Sequence, residues 1–111
     1  MIFAPFAAAL TQPAVNDPAP AGKSVLMVVT SADKTLSGKP TGLWLEEFAA
    51  PYYEFKKAGV KITVTSLKGG PAPVDPRSLD RPAEFKSGAG ATAWNEAATL
   101  LKSTMKLSSV D

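Results

Sequence analysis

The chain has 111 residues, 45% of them hydrophobic, with 12 basic against 10 acidic side chains and a net charge of +2, which describes one ordinary globular domain or part of one. Its basic residues neither cluster nor alternate with aromatics, which speaks against nucleic acid as a partner. The chain holds no Cys and no His, which excludes disulfides, thiolate and imidazole metal sites, thiol nucleophiles and the commonest general base.

Residues 1–22 read as an extension and residues 23–111 as the domain. Ile2 to Leu10 is apolar, with the small run Ala7-Ala8-Ala9, and Thr11 to Gly22 turns rich in Pro and Ala. The apolar part is shorter than the roughly 20 residues that span a bilayer, so no membrane span is expected. No Lys or Arg precedes Lys23 to form the positive region of a secretory signal. The expected location is therefore cytoplasmic, with export as the alternative if residues 2–10 are the remnant of a signal peptide.

Val25 to Val29 is an unbroken apolar, mostly β-branched run, suited to a central strand of a parallel sheet covered on both faces by helices. Ser31 to Pro40 is a polar loop leaving its carboxyl end, the side on which open α/β sheets bind ligands. Trp44, Phe48, Tyr52 and Phe55 then recur at helical spacing and predict one apolar stripe. Glu46 and Glu47 open that helix, Lys56 and Lys57 close it, and both pairs suit its dipole. Gly59 is placed as the left-handed stop. Pro51 interrupts the interior, and the carbonyl that it leaves without a donor belongs to Glu47.

Val60 to Thr65 alternates as a strand with one face more exposed, which completes a βαβ unit. Lys68 to Pro82, with Gly69-Gly70-Pro71, Pro73, Pro76 and Pro82, predicts an irregular surface loop. A final helix is expected from about Thr92 to Met105, with Trp94, Ala97, Ala98 and Leu101 on one face and no third strand after it.

Glu47 is the sharpest candidate for chemistry. Two glutamates in a first turn commonly serve only the helix dipole, but Glu47 follows a strand-end loop, where catalytic groups collect, and its carbonyl is the one Pro51 leaves free. Gly69-Gly70 beside Lys68 lacks phosphate-loop spacing and reads as a turn. Ser31, Asp33 and Lys34 have no histidine to complete a nucleophile set. Carboxylates at these spacings match no metal-binding loop, and no cofactor is expected.

From Lys23 to Asp111 the chain resembles the ThiJ/PfpI superfamily of class I glutamine amidotransferase-like proteins, and within it the glyoxalase III and deglycase-chaperone branch. The resemblance rests on Val25-Leu26-Met27-Val28-Val29-Thr30-Ser31, Thr41-Gly42-Leu43-Trp44-Leu45-Glu46-Glu47 and Pro51-Tyr52-Tyr53. It continues through Ala58-Gly59-Val60, Gly69-Gly70-Pro71 and Val74-Asp75-Pro76-Arg77-Ser78-Leu79. It implies an α/β, flavodoxin-like (Rossmann-like) three-layer sandwich, here truncated after the first βαβ unit and one further helix. It also implies that Glu47, four residues before the helix proline, hydrogen-bonds a cysteine thiolate carried by a later strand-to-helix turn. Complete members would convert methylglyoxal to lactate without a cofactor, or act as protein deglycases or stress-response chaperones. The expectation is a fragment inactive alone, which takes a small aldehyde only if the fold is completed. The other expectation is a non-catalytic, chaperone-like interaction module, forming a homo-oligomer or pairing with another chain through an exposed sheet edge.

Overall fold

The computed structural model describes residues 22–111. Strand β1 spans Ser24–Val29, helix α1 Leu45–Ala58, strand β2 Lys61–Ser66, helix α2 Gly88–Leu100 and strand β3 Met105–Lys106. The sheet order is β1-β2-β3 and both pairings are parallel. In register, Val25 lies beside Ile62 and Met27 beside Val64. The two strands of the expected βαβ unit are thus adjacent, parallel and joined by a helix, and the fold is α/β of flavodoxin-like type. The expected extension lies, apart from Gly22, outside the described residues.

Helix α1 forms where its end signals place it. Gly59 adopts φ 77° and its amide closes the last turn on the Lys56 carbonyl at 3.0 Å, a backbone conformation in which a side chain is strained. The helix runs on through Pro51. Its buried face is broader than the predicted stripe and turned relative to it: Leu45, Phe48, Ala49 and Tyr52 are buried, Phe55 is half-buried, and Trp44 precedes the first turn and is exposed. The face of α2 carrying Ala93, Trp94 and Ala97 packs on this surface, with Phe85 between them. The Phe85 ring sits 5.2 Å from that of Trp94 and 6.1 Å from that of Tyr53, within the range of favourable aromatic pairs.

The core lies on the sheet face that carries Met27, Val29, Ile62 and Val64. Cover on both faces of β1, expected from its continuous apolar run, is not what these residues show. Exposure alternates along the strand, and Leu26 and Val28 remain 44% and 56% exposed. The period-2 geometry of a strand sends these two side chains away from the helices. In β2 the predicted alternation gives way at the carboxyl end, where Val64, Thr65 and Ser66 are all buried. Among the described residues Thr65 Oγ1 has no hydrogen-bond partner; its neighbours in register are the apolar Val28 and Met105.

Three further expectations are corrected. The last helix, Gly88–Leu100, begins and ends earlier than Thr92 to Met105, and beyond its end Thr104 pairs with Gly70, amide to carbonyl in both directions at 2.8 and 2.9 Å. A third strand does follow, the two-residue β3 beside Thr65 and Ser66. The segment from Lys68 to Pro82 is not merely a surface loop, since it buries Ala72, Asp75 and Ser78 and includes a 3₁₀ turn at Pro76–Ser78.

Candidate active site

The carboxyl ends of β1 and β2 open beside the start of α1. A groove of about 280 Å³ there is lined by Met27, Val28, Val29, Thr30, Leu43, Glu47 and Phe48. Glu47 is exposed, lies in the first turn of α1 and, among the described residues, is the only ionisable group of that lining. Glu46 is half-buried and does not line the groove. An exposed carboxylate over a strand end can accept or deliver a proton. It offers no electrophile trap or thiol of its own.

The strand-end loops are tied to one another by backbone and hydroxyl groups. Ser31 Oγ accepts the Lys68 amide at 3.0 Å, and the carbonyl of Asp33 accepts the Thr41 amide at 2.9 Å. Ser31, Asp33 and Lys34 therefore build the loop rather than a nucleophile set. Gly69 and Gly70 form the expected turn with φ 72° and 70°. Ser66 Oγ accepts the Gly69 amide and lies 2.7 Å from Thr104 Oγ1, which in turn donates to the Gly70 carbonyl.

What fixes the approach to Glu47 is a second loop, and the role of its residues was not legible locally. Leu43 donates its amide to Pro73 O at 2.9 Å and accepts from the Asp75 amide at 2.8 Å. The two chains run so close that a Cβ on Gly42 would stand 2.5 Å from the Pro73 carbonyl, which only glycine permits. Trp44 has no side-chain oxygen to cap α1. Ser78 Oγ accepts the Leu45 amide at 3.0 Å instead, from 33 residues away. The Ser78 hydroxyl donates to the Asp75 carbonyl at 2.6 Å. Asp75 is 2% exposed, caps its own turn through the Arg77 amide, and takes two further bonds from the Arg77 guanidinium. The sequence signal was an Asx cap followed by proline at N1, Asp75-Pro76.

The Arg77 side chain and amide, with a smaller contribution from Thr41, hold the Asp75 carboxyl down at about 2. A carboxylate depressed in this way stabilises the fold above its unfolded value near 3.8, and the contribution is lost as pH falls through about 2. We expect the denaturation midpoint of the chain to fall between pH 4 and pH 2 by more than that of Asp75→Asn. Parallel curves for the two proteins would contradict the pairing.

Elsewhere on the helices, Tyr52 donates to Glu96 Oε1 at 3.1 Å and Lys56 pairs with the same oxygen. Burial first, and then the Glu96 contact, raise the Tyr52 hydroxyl, while Lys56 lowers Glu96. These groups stand on the helices, away from the strand ends. Among the described residues no helix is long and apolar enough to cross a membrane.

No family model matches the chain, and no curated protein does. Solved structures do. The crystal structure of APC35852 is 42% identical over 77% of this chain and 35% of that one, with a TM-score of 0.63. The Rapid Encystment Protein 24 KDa of Francisella tularensis is 33% identical over 80% of this chain and 39% of its own, TM-score 0.63. Glyoxalase III of Candida albicans is 27% identical over 80% of this chain and 38% of its own, TM-score 0.59. These likenesses support the ThiJ/PfpI superfamily that the sequence resembles. The chain spans between a third and two fifths of the length of the structures it matches.

Proposed function

We propose that this chain is the amino-terminal part of a ThiJ/PfpI protein related to glyoxalase III, and that Glu47 is the proton-transferring carboxylate of its active site. The reading rests on one observation above all: among the described residues, Glu47 alone brings an ionisable group to the groove at the carboxyl end of β1. In the completed site a cysteine thiolate attacks the aldehyde carbon of methylglyoxal. Glu47 then carries the proton from the carbon that bore the aldehyde hydrogen to its neighbour, and hydrolysis of the thioester releases lactate. The chain supplies the carboxylate but no thiol nucleophile, since it has no Cys. The experiment joins residues 22–111 to the complementary portion of a glyoxalase III and measures lactate from methylglyoxal. The 111-residue chain is expected to give none by itself, and turnover by it alone would overturn the reading.

A second reading, an interaction module, is favoured by the exposure of Leu26 and Val28 on β1, which among the described residues pairs only with β2. An apolar strand with a free edge invites pairing with a further strand. This reading expects the weight-average mass in sedimentation equilibrium to rise with concentration. A monomer across the micromolar range, with a sharp thermal transition, would remove it.

A further inference from the structure

We propose that Ser78, carried on the buried Asp75 turn, is a positioning residue that fixes the first turn of α1 and with it Glu47. The inference rests on the reading of Glu47 given above and adds the part of the chain that controls its placement. A helix start leaves its first amides without partners, and a Ser, Thr, Asp or Asn directly before the helix normally supplies an acceptor. Trp44 occupies that place here and has no acceptor to give. Ser78 Oγ fills the role from another loop, accepting the Leu45 amide two residues before Glu47.

The geometry makes Ser78 a rigid acceptor rather than a chance contact. Its hydroxyl proton is committed to the Asp75 carbonyl at 2.6 Å, so a lone pair must face Leu45. The Ser78 amide also donates to that carbonyl, at 2.9 Å. Asp75 cannot swing, because its carboxylate takes the Arg77 amide and guanidinium, with Thr41 Oγ1 at 3.5 Å. Thr41 opens the same segment that runs through Leu43 to Glu47, and Leu43 is paired on both sides to Pro73 and Asp75. Both approaches to Glu47 are therefore referred to one turn. A carboxylate that must meet a reacting atom within about 0.5 Å needs support of this kind from neighbouring groups.

The test is amide hydrogen exchange and ¹⁵N relaxation on the full 111-residue chain. Ser78→Ala is expected to speed exchange at Leu45 by about tenfold and to lower backbone order at Glu46 and Glu47, while amides of β2 and of Ala97 keep their protection. Ser78→Thr, which retains the oxygen, is expected to restore both. Asp75→Ala, which leaves Ser78 in place but removes the side-chain acceptor of its turn, is expected to give the same local pattern and serves if Ser78→Ala does not fold. Unchanged exchange at Leu45 overturns the proposal. So does, in a variant that still folds, an equal loss of protection across the whole chain, or failure of Ser78→Thr to restore Leu45 while β2 stays protected. Because the readout is order and not turnover, these outcomes sink the clamp without touching the role of Glu47. An inert Glu47 in the joined enzyme sinks that role without touching the clamp.

Discussion

Glu47→Gln is expected to lower methylglyoxal turnover by about 10²- to 10⁴-fold in the joined enzyme, the usual worth of a positioned general acid or base. Gln keeps the size of the side chain and the start of α1, and removes only the capacity to take a proton. Glu46→Gln is the matched control, because it makes the same chemical change one position earlier, on a side chain that does not line the groove. Its expected effect is that of an ordinary surface substitution, within about 0.5 kcal/mol or roughly twofold. Steady-state kinetics of the two variants decide the matter. Equal losses would mean that the first turn matters for its charge as a whole, and equal tolerance would mean that neither carboxylate moves a proton.

Gly90→Ala is expected to destabilise the fold by about 3 kcal/mol, although the same change in a helix interior normally stabilises by up to about 1 kcal/mol. Gly90 lies in α2 and is buried. A Cβ there would stand 1.9 Å from the carbonyl oxygen of Glu84, with the Phe85 Cα 3.4 Å away. Both neighbours are backbone, so no side chain can rotate aside. The 3₁₀ turn at Ala83–Phe85 and α2 must separate, which also lifts Phe85 off Trp94. Urea denaturation of the variant beside the parent chain measures this directly. A midpoint equal to or above that of the parent would show that the two segments have room to move apart.

Both effects sit where close packing meets the start of a helix, and the two segments were differently legible. The start expected at about Thr92 lies four residues after the start of α2 at Gly88, in a Gly88-Ala89-Gly90 run of low helix propensity. Its glycine is there for the approach of Glu84. At the other end, the apolar pattern runs on to Leu101, but beyond the helix Thr104 pairs with Gly70 and β3 begins. In α1 the predicted stripe found Phe48 and Tyr52. It favoured Trp44 over Leu45 because one-residue shifts in a 3.6-residue period leave several faces nearly equally apolar, and only the position of α2 chooses among them.

The sequence by itself determined what depends on near neighbours. Val25 to Val29 and the alternating segment before Ser66 read as strands, the Glu-to-Lys polarity and Gly59 bounded α1, and the order strand, helix, strand placed Glu47 at the carboxyl side of a parallel sheet. Only the tertiary structure decided how that carboxylate is approached and held. The Ser78 cap on Leu45, the contact of Gly42 with Pro73 and the pairing of Thr104 with Gly70 all join residues far apart in the chain. Spacing and propensity act over one or two turns of backbone. A hydrogen bond between loops 33 residues apart exists only once the sheet and helices have brought those loops together.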